Sequence, residues 1–324
     1  MRTIGHTSAV IVVGSANQDY IVRVLAPPRP GETILAKSFV TQPGGKGANQ
    51  AVAAARLGGN VSFVASVGDD ADGAALLREL QSEGVDTTNV EIIGRSRTGL
   101  ALVSVFDSGE NSITVVPGAN LSLTSDRVER TVYRLAQNCS NAVMVVQAEL
   151  NTEIIESSIH SAERSGARCI LNLAPYRRLS EEILSLCDPL VLNESEATSI
   201  VGWTVQNAAT AAQAVEQLRK VSRSVVITIG PEGACWGNQE SVGHVPAPFV
   251  PQVIDTTGAG DAFVGALATF LAKGLTLQEA VEVGVRAGTF AVRSLGAQSS
   301  YPTQTDLGLH MESSRPEQIR TNDG

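Results

Sequence analysis

Ala142-Val143-Met144-Val145-Val146-Gln147, followed by Ala148 and Glu149, reads as a strand buried on both faces. A helical apolar period over 125–137 precedes it, and another over 152–165 follows. The alternation continues through a strand at 168–173, a helix at 180–186, a strand at 189–192, a helix at 207–220 and a strand at 224–229. Such alternation predicts parallel βαβ units with right-handed crossovers. The expected fold is α/β, a doubly wound, mostly parallel sheet flanked by helices. Polar clusters follow the strands: Glu149, then Asn193-Glu194-Ser195-Glu196, then Gly230-Pro231-Glu232-Gly233. Open α/β sheets bind ligands outside the carboxyl ends of their strands.

Toward the N-terminus, Ala9-Val10-Ile11-Val12-Val13 is another doubly buried strand, closed by Gly14-Ser15-Ala16-Asn17-Gln18-Asp19. The dinucleotide pattern G-x-G-x-x-G is missing there, which removes the usual dehydrogenase reading. Asn17 and Asp19 stand at a strand end, where they are either ligand groups or turn formers. Short strands are expected at 20–25 and 33–40, with Pro27-Pro28-Arg29-Pro30-Gly31 turning between them. Gln42-Pro43-Gly44-Gly45-Lys46-Gly47-Ala48-Asn49-Gln50 opens a helix of small residues ending near Leu57. It is not a P-loop: Gly47 follows the lysine, and Val40 stands where the first glycine belongs. A strand at 61–67 and a helix at 71–83 ended by Gly84 come next. Strands at 98–106 and 112–116 form a hairpin, and with 20–25 and 33–40 they predict a small lid sheet over about 15–43 and 97–118.

Toward the C-terminus, an extended run at 248–254 leads into Asp255-Thr256-Thr257-Gly258-Ala259-Gly260-Asp261 and a helix over 258–272. Glycines at a helix start expose backbone N–H groups that favour an anion. An acid among them would repel a merely bound phosphate, but it suits a base that takes a proton from a phosphoryl acceptor. A capped helix after a Gly-rich turn is the plain alternative. A helix at 276–293 and the run Gly296-Ala297-Gln298-Ser299-Ser300 complete a domain over 1–302. The segment 303–324 reads as a polar, frayed tail.

The 324 residues carry 24 Lys and Arg against 33 Asp and Glu, a formal charge of −9. That balance argues against nucleic-acid and anionic-membrane partners. No signal peptide or spanning run is read, so a cytoplasmic location is expected. Cys139, Cys169, Cys187 and Cys235 are scattered without a CxxC, and read as core thiols. His6, His160, His244 and His310 have no ligand spacing.

With Gly44-Gly45-Lys46-Gly47-Ala48-Asn49-Gln50 and Asp255-Thr256-Thr257-Gly258-Ala259-Gly260-Asp261 in hand, the chain resembles the PfkB carbohydrate kinases from about Val10 to Pro302. Asn193-x-x-Glu196 and the lid excursions match as well. The resemblance implies transfer of the γ-phosphoryl group of ATP to the 5-hydroxyl of D-ribose. It implies that Asn17, Gln18, Asp19, Gly45, Lys46, Gly47, Ala48, Asn49 and Glu149 line the sugar pocket, with Asp261 as the base. Gly258, Ala259 and Gly260 would form the anion hole. Asn193, Thr228, Ile229, Gly230, Pro231, Glu232 and Gly233, with Gly260 and Asp261, would meet ATP. Glu196 would order Mg²⁺ indirectly, and Asp255, Thr257, Ala291, Ser294, Gly296 and Ser300 would hold K⁺. A homodimer through the lids is also implied. Fold alone does not separate ribose from 2-deoxyribose, fructose or a nucleoside, nor a kinase from a catalytically silent binding regulator.

Overall fold

The computed structural model describes residues 8–108 and 110–309. His6 and His310 lie outside them, as does the tail from residue 310. Strands β1 (Ser8–Val13), β2 (Asn17–Val24) and β3 (Ser38–Gly44) lead into helix α1 (Lys46–Arg56). Then come β4 (Val61–Gly68), α2 (Ala71–Ser82), β5 (Val90–Ile93), β6 (Gly99–Phe106) and β7 (Asn111–Val116). The regular half runs α3 (Ser125–Gln137), β8 (Asn141–Gln147), α4 (Thr152–Ser165), β9 (Arg168–Asn172), α5 (Glu181–Ser185) and β10 (Leu190–Leu192). It continues with α6 (Glu194–Val201), α7 (Ala208–Leu218) and β11 (Val225–Thr228). Strands β12 (Ala234–Gly237) and β13 (Val242–Val245) precede the closing helices α8 (Ala259–Ala272) and α9 (Leu277–Ala291).

The main sheet has 9 strands in the order β13-β12-β11-β10-β9-β8-β1-β4-β5. All its pairs are parallel except β11 with β12 and β12 with β13. After β1 the chain goes first to one side, through β4 and β5, and later to the other, through β8. Order therefore reverses at β1 and β8, the place where a doubly wound sheet opens a crevice. Alternate residues of β1 feed opposite cores. Val10 and Val12 join the core on the side of α1 and α8, while Ile11 and Val13 join the core on the side of α3.

Helix α8 is enclosed on every side. Each residue from Asp261 to Ala272 is buried. A helix apolar all round belongs in the middle of a protein. Small residues let α1 approach it: a Cβ on Gly265 would stand 2.5 Å from the Ala53 Cβ and 2.8 Å from the Gln50 carbonyl oxygen. Thr269 Oγ1 donates to the Ala54 carbonyl at 3.1 Å.

The second sheet has 4 strands in the order β3-β2-β6-β7. It is built from the two expected excursions. The strand expected at 33–40 instead runs over 38–44, with Pro43 on the sheet edge, where a missing N–H costs no ladder bond. The extended run at 248–254 forms no strand. Nor is the segment 303–309 frayed. Leu307 is buried, Gln304 Nε2 donates to the Leu57 carbonyl at 2.6 Å, and Arg56 ties down the Gln298 and Tyr301 carbonyls. Among the described residues, no helix is long and apolar enough to cross a membrane.

Candidate active site

Gly258 caps α8 with φ 76°, in the left-handed region. A Cβ there would also come within 2.6 Å of the Tyr301 hydroxyl and 2.8 Å of Ala297, so glycine is required twice over. The first helical bond runs from the Ala262 amide to the Gly258 carbonyl at 2.8 Å. The amides of Gly260 and Asp261 come before it and have no helical acceptor. A Cβ on Gly260 would meet nothing within 4 Å, so the space at this helix end is open. Free amides, the helix dipole and open space together accept an anion. Beside them Asp261 is buried, its Oδ2 accepting from Asn49 Nδ2 at 3.0 Å and its Oδ1 from Gln50 Nε2 at 2.8 Å.

The lid delivers its groups from the root of β2. Asn120 Oδ1 accepts the Ala16 amide at 2.9 Å, and Asn120 Nδ2 donates to Asn17 Oδ1 at 2.8 Å. Asn17 is thereby oriented before any ligand arrives. Gln18 points to the opposite face, as strand alternation demands, and donates to the Gln42 carbonyl at 2.9 Å. Asp19 lies against Gly44, where a Cβ would sit 2.2 Å from its carboxylate. Burial, then Glu149 and Asp261, push the Asp19 carboxyl from 3.8 up to about 7. Its Oδ1 is buried without a hydrogen-bond partner.

The glycine motif is close packing around this pocket. Gly45 has φ 85°, and a Cβ on Gly47 would stand 2.6 Å from the Gly14 backbone. The Ala48 amide is held by the Ser15 carbonyl at 2.9 Å. Glu149 Oε2 accepts the Lys46 amide at 3.0 Å, at the first turn of α1. Asp261 raises the Lys46 ammonium above the usual lysine range; burial opposes this, and Glu149 and Glu196 add to it. Asn17, Asp19, Gly45, Lys46, Asn49, Glu149 and Asp261 thus gather around the start of α1, whereas the Gln18 amide is taken up by the Gln42 carbonyl.

On the other side of Lys46, Asn193 caps α6. Its Oδ1 accepts the Glu196 amide at 2.9 Å, and Glu196 Oε2 accepts the Asn193 amide at 2.8 Å. Burial is the main cause that pushes the Glu196 carboxyl upward. Thr228 Oγ1 donates to the Leu192 carbonyl at 3.3 Å, which joins this cap to the end of β11. The Ile229 amide closes the following turn on the Gly233 carbonyl at 2.8 Å, around Gly230 and Pro231. Gly233 has φ 94°, and a Cβ there would stand 2.0 Å from the Val245 carbonyl oxygen. Glu232, an awkward acid for a loop expected to meet phosphates, accepts the Ala208 amide at 2.9 Å, at the first turn of α7. His244 Nε2 lies 2.7 Å from the Glu232 carbonyl oxygen.

The loops flanking α8 and α9 are sewn together. The Ile254 amide bonds the Val292 carbonyl at 2.8 Å, and the Gly296 amide bonds Asp255 Oδ2 at 2.9 Å. Burial raises the Asp255 carboxyl, but hydrogen bonds from Thr257 and the Gly296 amide outweigh it and hold the group below the usual carboxylate value. Ser294 bonds Ala291, and Ser300 Oγ donates to the Ala297 carbonyl at 2.7 Å. No cluster of three His, Cys, Asp or Glu with metal-holding geometry occurs among the described residues.

Sequence reasoning missed the supporting polar residues. Gln50 stood in the quoted motif without a role, and Asn120, Gln147, Asn172 and Gln298 carried no signal. Their bonds join distant parts of the chain, which no local pattern announces.

A family model described as pfkB family carbohydrate kinase matches residues 7–304. The chain belongs to the pfkB family. Among curated relatives, the ribokinase of Haemophilus influenzae is 36% identical over 296 residues, covering 91% of this chain and 95% of the relative. The deoxyribokinase of Salmonella typhi is 35% identical over 303 residues, covering 91% and 95%. A solved Arabidopsis thaliana ribokinase complexed with ribose and ATP superposes with a TM-score of 0.85 at 30% identity, covering 94% of this chain and 98% of that one. As a pfkB member with this site, the protein is an ATP-dependent sugar kinase of the ribokinase type.

Proposed function

We propose that this pfkB kinase phosphorylates D-ribose at its 5-hydroxyl. The observation that carries the proposal is the convergence of Asn17, Asp19, Asn49 and Asp261 beside an open helix N-terminus. Several hydroxyl-binding groups suit a bare sugar. The buried Asp19 carboxylate, lacking a partner for Oδ1, calls for hydroxyl donors.

Asp261 takes the proton of the attacking hydroxyl as its oxygen bonds the γ-phosphorus. The bond from that phosphorus to the bridging oxygen breaks, and ADP leaves. The free amides of Gly260 and Asp261 stabilise the charge in transfer, while the Ala259 amide closes the turn on the Thr256 carbonyl. Thr228, Gly230 and Gly233 hold the nucleotide phosphates, with Asn193 nearby. Mg²⁺ would neutralise phosphate charge, and Glu196 is placed to order it through water. The Asp255 loop supports a cation: hydrogen bonds from Thr257 and the Gly296 amide keep its carboxylate ionised, and a carboxylate oxygen suits a hard ion. Asp255, Thr257, Ala291, Ser294, Gly296 and Ser300 would hold K⁺, whose charge would steady the loop before α8.

ADP release is measured with ATP and Mg²⁺ over ribose, 2-deoxyribose, fructose and adenosine, each with K⁺ and with Na⁺. Ribose is expected to turn over fastest and to need K⁺. Faster turnover of 2-deoxyribose would favour the second reading, which the Salmonella relative supports. No turnover on any acceptor would overturn the reading.

The exposed apolar side chains of the lid, Phe39, Leu102, Ile113 and Val115, support a homodimer through that sheet. Its edge strands β3 and β7 also offer unpaired backbone. Sedimentation at micromolar concentration is expected to give the dimer mass, and a monomer there would count against it.

A further inference from the structure

We propose that Gln50 is a positioning residue for Asp261; the inference rests on the reading of Asp261 as the base. Gln50 is wholly buried, so its task lies inside the protein. Its Nε2 donates to Asp261 Oδ1 at 2.8 Å and to Asn172 Oδ1 at 3.0 Å. Its Oε1 accepts from Gln147 Nε2 at 2.7 Å. Gln147 is also fully buried, so the relay is sealed from water. The direction of the Gln50 amide is fixed by these contacts. Turned over, it would set its oxygen against the Asp261 carboxylate and against the Asn172 oxygen, and its NH₂ against the Gln147 NH₂.

Asn49 holds the other carboxylate oxygen and is braced by Gln298 Nε2 at 2.9 Å. Adjacent helical residues do not normally share a target. Here both reach one carboxylate because α1 and α8 are packed at glycine distance, with Gly265 against the Gln50 backbone. Two donors, one per oxygen, set the plane of the carboxylate. With Asn49 alone the group turns about its remaining bond. A base must lie within hydrogen-bond reach of the proton it takes, so a loss of aim lowers kcat and leaves ground-state binding alone.

The test is a cycle of Gln50→Leu, Asp261→Asn and the double variant, read as single-turnover rate, sugar KM, ATP affinity and Tm. Gln50→Leu is expected to lower the chemical rate by about a hundredfold. Sugar KM and ATP affinity stay within about threefold. Added to Asp261→Asn, it should change the residual rate by less than about threefold, since nothing remains to be aimed. Gln147→Met, one bond further out, gives a smaller loss of the same kind and serves if Gln50→Leu does not fold. Equal losses in both backgrounds, or a rise in KM at constant kcat, would overturn the role of Gln50 while leaving the base intact. Near-normal turnover of Asp261→Asn itself would sink the base reading.

Discussion

Asp261→Asn is expected to lower kcat by about a hundredfold to ten-thousandfold while ATP still binds with unchanged affinity. The change keeps shape and removes proton acceptance. The loops around Asn193, Gly230 and Gly233, proposed to hold the nucleotide, do not bond this side chain, so ATP affinity has no reason to fall. The amides of the helix end also stay, and they account for the turnover that survives. A carboxamide meets a second difficulty in this site. Asn49 Nδ2 and Gln50 Nε2 each donate to one carboxylate oxygen, so the new NH₂ must face one of them. The buried mismatch costs about 1–3 kcal/mol. Tm is therefore read beside isothermal titration with ATP and steady-state kcat. Turnover within a few-fold of the parent, in a folded protein, would show that the base lies elsewhere.

Asp19→Asn is the second large effect, and it separates function from stability. In the sugar-free protein the Asp19 carboxyl is raised from 3.8 to about 7, chiefly by burial and then by Glu149 and Asp261. Near neutrality the group is therefore held partly as the acid. Sugar hydroxyls donate to the carboxylate, so binding favours its ionised form and releases a proton. The sugar KM is expected to rise as pH falls below about 7, approaching tenfold per pH unit. Asp19→Asn should lower kcat/KM by about a hundredfold, because hydrogen bonds to a charged acceptor are lost, and it should flatten that pH dependence. Stability runs the other way. The folded pKa exceeds the unfolded one, so the stabilising contribution of this group is complete below 3.8, shrinks as pH rises through about 7, and is gone above it. Replacing the group removes that loss. The sugar-free variant should melt about 2–4 °C higher than the parent at pH 8, with the gain vanishing near pH 4. A variant no more stable at pH 8, with an unchanged sugar KM, would refute the assignment of Asp19 to the pocket.

The framework was legible because its signals are local. Runs such as Ala9–Val13 and 142–146 are apolar from end to end, and the helices between them keep their period. What escaped has weak local signals. Strand β5 is a short run beside β4, and β12 with β13 breaks the parallel rule through Ala234-Cys235-Trp236-Gly237, which lacks alternation. Helix α6 is hard to read because Asn193-x-x-Glu196 suits a ligand group as well as the capping box it forms. Residues 303–309 read as polar because their apolar anchors are few, yet Leu307 is buried and Gln304 bonds the Leu57 carbonyl, a contact no local pattern announces. In the candidate site, the residues that could be read in advance are those that glycine spacing or a strand end marks. Asn120, Gln147, Asn172 and Gln298 are not among them, because their meaning arises only when the chain has closed on itself.

The enclosure of α8 has a consequence for how such an enzyme can change. Asp261, the proposed base, stands on the first turn of a helix whose every later residue is a core residue. Catalysis and folding are therefore inherited together, and drift in that segment risks both at once. The lid has the opposite character. It meets the candidate site through the root of β2, the end of β3 and the start of β6, while its outer strand β7 is exposed throughout. New acceptors can thus be tried at the lid without reopening the question of how the protein folds, and the chemistry beneath it stays fixed.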